Sequence, residues 1–207
     1  MLIGGLASVA LCVGGGLLIV AFGNGPLAFD VAWQEFENLH PSPFFTALSL
    51  WLNDAGAQRY LGFILPAAVA VVLLAARRPL PAGAVLTGGL LGPLAVTLLK
   101  ALLQRPRPAD PDIVVSLTAY PSGHVSNLVV LLVLVGLILH RSWWWPIGAL
   151  LITAMALSRT YLDAHWISDT FGGVLLGTGI ALIIWAAVLR LERPFRNGSS
   201  PSATKRR

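Results

Sequence analysis

Residues 83–103 read GAVLTGGLLGPLAVTLLKALL, an apolar run whose only charged residue is Lys100. A helix needs about 20 mainly apolar residues to cross the hydrocarbon core of a bilayer, so this stretch predicts a membrane-spanning helix. Its small residues Gly88 and Gly92 lie four apart and let a second helix approach closely. Such a pair favours packing within a helical bundle over a face for dimerisation.

The rest of the chain has the same character. Hydrophobic residues make up 56% of its 207 residues and charged residues only 11%, whereas ordinary soluble domains carry about 25% charged residues. A soluble protein of this size cannot hide so much apolar surface, because small domains leave a large fraction of their surface exposed. The sequence therefore predicts an integral membrane protein. Its single cysteine, Cys12, can form no internal disulfide.

Six stretches have the length and composition of a membrane span: 2–22, 60–76, 83–103, 124–140, 146–162 and 169–189. The first lacks the basic region and the cleavage site of a secretory signal, so we expect it to remain as a span. We therefore expect an all-α fold, a six-transmembrane-helix bundle that forms a single domain over 1–196. The segment 197–207 is rich in Ser, Pro, Lys and Arg, which predicts a disordered, basic cytoplasmic tail.

The segment between the first two spans is too polar to cross a membrane. Its apolar residues recur at helical spacing in two groups, which are Phe29, Trp33, Phe36 and Leu39, then Phe44, Phe45, Leu48, Trp51 and Leu52. This pattern predicts short amphipathic helices in the first outer loop. Two placements fit it equally, one in the membrane interface and one as a lid packed only on protein.

The distribution of positive charge predicts the orientation. Nine of the fourteen Lys and Arg residues are Arg77, Arg78, Arg141 and the six within 190–207. With six spans these all lie on one side, which the positive-inside rule makes cytoplasmic. Both termini are then cytoplasmic in a multi-pass protein of the plasma membrane, or of the inner membrane in a bacterium. The charges indicate contact with anionic headgroups, and we expect no nucleic-acid partner.

Ionisable residues gather in three clusters at the opposite, outer ends of the spans. The first cluster places three cations, Lys100, Arg105 and Arg107, beside the prolines that end the third span. Arginine presents a planar fork of donors that suits phosphate oxygens, and lysine acts as a point charge. The alternative is a set of long side chains that reach from a helix end into the headgroup region.

The second cluster, Tyr120-Pro121-Ser122-Gly123-His124, stands directly before the fourth span. Pro-Ser-Gly forms a turn, and Ser122 can cap the helix that follows. The N-terminus of a helix offers free backbone N–H groups and a positive dipole, which together make an anion site. A histidine at such a place either acts on the bound anion or serves in packing or capping.

The third cluster runs from Ser158-Arg159 to His165 and Asp169. His165 and Asp169 are four apart, so on a helix they face the same way. A carboxylate can then hold one ring nitrogen of the histidine and leave the other free to attack. Arg159 adds one more cation that suits phosphate.

Together the three clusters resemble the signature of the type 2 phosphatidic acid phosphatase superfamily. That signature is Lys-x6-Arg-Pro, then Pro-Ser-Gly-His, then Ser-Arg-x5-His-x3-Asp. The matching residues are Lys100, Arg107, Pro108, Pro121, Ser122, Gly123, His124, Ser158, Arg159, His165 and Asp169. Arg105-Pro106 duplicates the Arg-Pro element, but the six-residue spacing selects Arg107. The six-span architecture agrees with the resemblance as well.

The resemblance implies a role for each of these residues. It makes His165 the nucleophile that forms a phosphohistidine, Asp169 its orienting partner and His124 the general acid. The phosphate cradle would consist of Lys100, Arg107, Arg159, Ser122 and the Gly123 N–H. Phosphoryl transfer needs fixed positive charge around the phosphate oxygens, which three cations can supply. We therefore expect no metal and no cofactor.

The position of the clusters at the lipid–water boundary favours a lipid phosphate as substrate. Similar bacterial enzymes handle undecaprenyl diphosphate, phosphatidylglycerophosphate or phosphatidate, and an outward-facing site slightly favours undecaprenyl diphosphate, whose carrier is recycled in cell-wall synthesis. A lipid phosphotransferase is an alternative in which the phosphate passes to a second lipid. Six spans argue against a haloperoxidase, and the complete set of reactive groups argues against a non-enzymatic lipid-binding or lipid-flipping protein.

Overall fold

The computed structural model describes residues 1–109, 111–114 and 116–197, with side chains as far as 192. Its helices are α1 (Leu2–Ala21), α2 (Ala28–Asn38), α3 (Pro43–Ala55), α4 (Leu65–Ala75), α5 (Pro79–Leu103), α6 (Gly123–Leu139), α7 (Trp144–Tyr161) and α8 (Ile167–Asn197). A π-helical segment, Arg59–Ile64, leads directly into α4. Every named element of this described part is helical, so the predicted all-α class is confirmed. Beyond Asn197 the predicted tail lies outside the described residues.

Fewer helices than six meet the requirements of a membrane span. Among the described residues, α1, α5 and Ile167–Glu192 of α8 are long and apolar enough. A fourth candidate arises if α3 and the segment Arg59–Ala75, which meet at a bend of 44°, count as one span. Helix α6 is apolar but has only 17 residues. The structure thus gives three or four candidate spans by length and composition, and the six-span arrangement stays a prediction.

Helix α8 holds the bundle together through contacts with α6 and α1. A Cβ atom at Gly177 would lie 2.5 Å from the Ser126 carbonyl oxygen, and one at Gly173 would lie 2.7 Å from the Ser122 carbonyl oxygen. The same close approach recurs between α8 and α1, where a Cβ at Gly179 would lie 2.9 Å from the Gly5 carbonyl oxygen. Small residues therefore bring α8 against both neighbours, as membrane helices commonly do.

The amphipathic helices α2 and α3 turn most of their large apolar side chains away from the protein, although Leu52 of α3 is buried. Their large aromatic residues are mostly exposed, and these are Phe29, Phe36, Phe44, Phe45 and Trp51. By contrast, Asp30 of α2 and Ser49 of α3 are buried. A helix in water shows the opposite distribution. Because apolar faces of this kind seek the acyl boundary of a bilayer, the pattern favours the interfacial placement over a lid packed only on protein.

Candidate active site

All three sequence clusters lie at the same end of the bundle. Lys100 is in the last turn of α5, Arg107 follows in the loop, and His124 is in the first turn of α6. Arg159 is in the last turn of α7, and His165 lies in the short connection to α8. These five side chains, with Gly123, line one cavity of about 690 Å³. The structure therefore brings together residues that are as much as 65 positions apart.

The His165 ring is buried and presents its two nitrogens to different partners. Its Nε2 lies 3.2 Å from Arg107 Nη1, and its Nδ1 lies 3.4 Å from Asp169 Oδ2. Arginine has donors only, so Nε2 accepts and the ring proton sits on Nδ1, toward the carboxylate. The Nδ1 contact is within ion-pair range but lacks hydrogen-bond geometry, and such contacts often shorten once substrate is bound. This tautomer leaves the Nε2 lone pair on the side of the cations.

The surroundings of His165 keep its ring neutral. Burial lowers the pKa of His165 well below the ordinary value of 6.5, and the positive charges of Arg107 and Lys100 lower it further. A protonated imidazole has no lone pair to donate, so a lowered pKa favours the reactive form. Burial also lowers the pKa of Arg107, to about 10. Arg107 therefore stays positive at neutral pH.

Asp169 lies behind His165 and is shielded from the cavity. Its Oδ2 accepts a hydrogen bond from the backbone N–H of Trp166 at 2.9 Å. Its Oδ1 accepts a 2.6 Å hydrogen bond from Nη1 of Arg105, and the two groups form a buried ion pair. A carboxylate with these fixed donors cannot rotate away from the histidine. The geometry suits an orienting group.

Two of the cations in the cavity are held by backbone carbonyls. Lys100 Nζ donates to the Thr118 carbonyl at 2.5 Å. Arg107 donates to the carbonyls of Ser116 and Ala164, and also to Ser116 Oγ at 3.0 Å. Carbonyl oxygens are neutral, so these bonds fix the side chains and leave their positive charge uncompensated. Fixed charge of this kind is what an oxyanion needs.

The third cation, Arg159, is buried and is held by helix α3. Its Nη1 donates to Asn53 Oδ1 at 2.8 Å, and its Nε and Nη2 both donate to Ser158 Oγ. The backbone carbonyl of Asn53 lies 3.2 Å from His124 Nε2. With its proton on Nε2, the His124 ring donates to that carbonyl. Asn53 therefore joins a cation of the site to the second histidine.

The first turn of α6 brings backbone N–H groups to the cavity. Helix α6 begins at Gly123, after Ser122 in an extended conformation. The first N–H groups of a helix have no partner within it, and together with the helix dipole they attract anions. Gly123 lines the cavity, whereas Ser122 is completely buried and its Oγ finds no partner among the described residues. Of the two predicted cradle groups on this turn, the structure thus places only Gly123 at the cavity wall.

Helix α2 frames the turn that carries His165. Trp33 Nε1 donates to Thr160 Oγ1 at 3.1 Å, and Gln34 Nε2 donates to Asp163 Oδ1 at 2.6 Å. Glu37 accepts a bond from Thr160 Oγ1 at 2.8 Å, and burial raises the pKa of this carboxyl to about 7. The polar face of α2 is thus used to attach the first loop to the end of α7.

Sequence reasoning missed three residues that support the site, which are Asp30, Asn53 and Arg105. Arg105 was visible as the duplicate Arg-Pro element, yet the structure turns it away from the cavity into a buried position. Asp30 and Asn53 belong to amphipathic helices, where nothing in the local pattern singles them out. Among the described residues, no group of three or more His, Cys, Asp and Glu is arranged to hold a metal ion.

Comparison with protein families gives a match over the part of the chain that carries Lys100, Arg107, His124, Arg159 and His165. Residues 81–193 match the model of the PAP2 superfamily. A decaprenylphosphoryl-5-phosphoribose phosphatase of Mycobacterium tuberculosis is 31% identical over 168 residues, with 78% of this chain and 89% of the relative covered. An undecaprenyl-diphosphatase of Sulfolobus acidocaldarius is 34% identical over 82 residues, with 39% of this chain and 35% of the relative covered.

A solved structure has the same fold. The crystal structure of a transmembrane PAP2-type phosphatidylglycerolphosphate phosphatase from Bacillus subtilis superposes with a TM-score of 0.71. The match covers 96% of this chain and 98% of the other, at 19% sequence identity. At that identity the likeness concerns the fold alone, and it agrees with an arrangement of helices in a membrane.

Proposed function

Since the chain belongs to the PAP2 superfamily, we propose that His165 carries out the reaction of a membrane lipid phosphatase through a phosphohistidine. The family makes the protein a phosphoric ester hydrolase, and its named relatives are phosphatases of lipid phosphates. The observation that supports the role of His165 is the position of its Nε2, 3.2 Å from Arg107 Nη1 at the wall of a cavity lined by three cations.

In the first step the Nε2 lone pair of His165 attacks the phosphorus atom. The bond between phosphorus and the lipid oxygen breaks, its electron pair goes to that oxygen, and His124 gives the oxygen a proton. Lys100, Arg107 and Arg159 balance the charge on the three equatorial oxygens, helped by the N–H of Gly123. Asp169 faces the Nδ1 proton and stabilises the positive charge that develops on the ring.

In the second step a water molecule attacks the phosphorus of the phosphohistidine. The N–P bond breaks, its electron pair returns to Nε2, and His124 takes a proton from the attacking water. Inorganic phosphate leaves, and the ring regains its starting tautomer. His124 gives one proton to the lipid oxygen in the first step and takes one from water in the second, so this residue ends the cycle unchanged.

Replacement of the nucleophile tests this scheme. His165→Ala should abolish phosphate release from lipid phosphates and remove the acid-labile phosphoenzyme that rapid quenching of labelled substrate traps. His40→Ala is the matched control, because His40 is an exposed histidine two residues after the end of α2. Substantial phosphate release by folded His165→Ala protein would show that another group attacks the phosphorus.

We propose a polyprenyl-linked phosphate as the substrate class. The cavity extends from the cations along one face of α5, past Thr97 and Val96 to Pro93. At 1.5 Å per residue, the seven positions from Lys100 to Pro93 correspond to about 10 Å of helix. A wall that changes from charged to apolar over this length suits a phosphate attached to a hydrocarbon chain.

Two substrates of this class remain to be separated. Undecaprenyl diphosphate is slightly favoured by the predicted outward-facing site, and the relative in Sulfolobus acidocaldarius is an undecaprenyl-diphosphatase. A polyprenylphosphoryl sugar phosphate is favoured by the relative in Mycobacterium tuberculosis, because that likeness extends over 78% of the chain. Initial rates with each compound, and with phosphatidylglycerophosphate, should differ in kcat/KM. A clear preference for phosphatidylglycerophosphate would contradict the polyprenyl class.

We also propose that the site faces outward from a plasma or inner membrane. Arg77 and Arg78 lie between α4 and α5, and Arg141 lies between α6 and α7. The site is built at the opposite ends of α5, α6 and α7. The positive-inside rule then supports a cytoplasmic location for the arginine loops and an external one for the cavity.

A further inference from the structure

Arg105 and Arg159 are the two largest side chains with a charge that are almost completely buried among the described residues, and Arg105 lies outside the cavity. Its side chain is 1% exposed, and its two terminal nitrogens contact two different carboxylates. Nη1 donates to Asp169 Oδ1 at 2.6 Å, and Nη2 donates to Asp30 Oδ2 at 2.8 Å. One guanidinium therefore joins the partner of His165 to an acidic residue of helix α2.

Further hydrogen bonds fix both ends of this arrangement. The Ser168 backbone N–H donates to Asp30 Oδ1 at 2.9 Å, and Ser168 Oγ donates to Asp30 Oδ2 at 2.8 Å. Asp30 Oδ2 also accepts from the Leu27 N–H at 2.9 Å. Arg105 Nη2 donates in addition to the Gly25 carbonyl at 3.1 Å. The chain Asp30–Arg105–Asp169 thus runs from the first loop to a carboxylate oxygen that lies 3.4 Å from Nδ1 of His165.

The formal charges of this chain decide its effect on His165. Two carboxylates and one guanidinium sum to one negative charge behind the imidazole. If Asp30 were absent, Arg105 would neutralise Asp169 completely and no net negative charge would face the ring. A ring that carries a phosphoryl group on Nε2 and a proton on Nδ1 is positively charged. It therefore gains more from a negative neighbour than the neutral ring does.

From this geometry we infer that Asp30 and Arg105 are positioning residues for the phosphohistidine step, an inference that rests on the proposed function. Arg105 holds Asp169 in place, and Asp30 shares the guanidinium so that Asp169 keeps a negative charge for His165. Neither residue touches the cavity, so neither contacts the substrate. The network acts only through Asp169.

A simpler role would be structural, in which the buried ion pairs only attach α2 to the bundle. The two roles differ in what happens when charge is restored. Asp30→Asn changes the net charge of the network from one negative charge to zero. Combined with Arg105→Gln, it leaves Asp169 alone and returns the network to one negative charge. A structural role predicts that the double variant is worse than the single one, whereas the charge role predicts recovery.

The experiment measures kcat and KM for phosphate release from a lipid phosphate in mixed micelles. Asp30→Asn should lower kcat by about 10- to 100-fold, which is comparable with the loss of an outer hydrogen-bond partner of a metal-binding histidine. KM should change by less than about threefold, because the substrate contacts remain. The kcat of the double variant should be at least about fivefold higher than the kcat of Asp30→Asn alone.

A second carboxylate of α2 provides the matched control. Glu35→Gln removes an acid from the same helix at an exposed position. It leaves the Arg105 network untouched and should keep kcat near the wild-type value. The accumulation of phosphoenzyme after rapid quenching gives an independent readout, and only Asp30→Asn should reduce it.

The outcomes separate this inference from the proposed function. A wild-type protein without activity on any lipid phosphate refutes the proposed function itself. If the wild type is active, two results overturn the inference alone. One is a kcat of Asp30→Asn equal to that of wild type, and the other is a kcat of the double variant no higher than that of Asp30→Asn. Where Asp30→Asn does not fold, the double variant is compared directly with wild type, and a kcat more than about 100-fold lower overturns the inference.

Discussion

Asn53 offers the sharpest test of how helix α3 takes part in the site. Its Oδ1 accepts a 2.8 Å hydrogen bond from Arg159 Nη1, while its backbone carbonyl lies 3.2 Å from His124 Nε2. Asn53→Ala removes the first contact and keeps the second, because the main chain is unchanged. The variant therefore isolates the positioning of one cation.

The size of the effect follows from the bonds that Arg159 keeps. A hydrogen bond from a charged donor contributes about 1.5–3 kcal/mol, and 1.36 kcal/mol in the transition state corresponds to about a factor of ten. Complete loss would therefore lower kcat/KM by about 10- to 150-fold. Arg159 still donates twice to Ser158 Oγ, which holds the guanidinium near its place. We thus expect the lower part of this range, about 10- to 30-fold.

The assay is phosphate release by purified protein in mixed micelles of detergent and lipid phosphate. Asn38→Ala is the control, since Asn38 is an exposed asparagine on the neighbouring helix α2. Thermal unfolding in the same detergent checks that both variants are folded. A kcat/KM for Asn53→Ala within about twofold of the control would show that Arg159 needs no support from the Asn53 side chain.

Three further predictions concern packing, metal and topology. Gly177→Leu should lower stability by about 1–3 kcal/mol in detergent melts, because a Cβ there meets Ser126 O at 2.5 Å, whereas Gly14→Leu, with nothing within 4 Å, should not. Chelators should leave activity unchanged and vanadate should inhibit it as a transition-state mimic. Activity restored by one specific metal would contradict the role of the three cations. A membrane-impermeant thiol reagent should label Val114→Cys but not Ser142→Cys in intact cells, and the reverse pattern would place the cavity in the cytoplasm.

Most residues that the sequence singled out line one cavity, whereas the residues that hold them in place were not found from the sequence. Spacing selected Arg107 over Arg105, and the structure places Arg107 at the cavity and Arg105 in the interior. In an extended segment residues two apart face the same way, and Pro106 pairs with Thr118 in an isolated bridge. The opposite directions of Arg105 and Arg107 were therefore not accessible from the local pattern. The carboxylate that binds Arg105 was not accessible either, because Asp30 lies 75 positions away and only tertiary packing brings the two together.

The predicted spans show a different limit of sequence reasoning. Apolar composition locates helices at all six predicted stretches, but it does not distinguish contact with lipid from contact with protein. Much of α6 is buried by its neighbours, so its apolar side chains meet α5, α7 and α8 as well as any lipid. An apolar helix that is surrounded by other helices has the same composition as one that faces a bilayer. For that reason composition predicts the all-α class of the fold but does not fix the number of helices that cross the membrane.

The exposed aromatic residues of α2 and α3 have a consequence for how the enzyme must be measured. Phe36, Phe44 and Trp51 point away from the protein at the end of the bundle that contains the cavity. Aromatic side chains settle at the boundary between headgroups and acyl chains. A protein anchored there meets its substrate by diffusion in two dimensions. Its rate then depends on the mole fraction of lipid phosphate in the surface, and dilution with inert lipid should slow it even when the bulk concentration of substrate is constant.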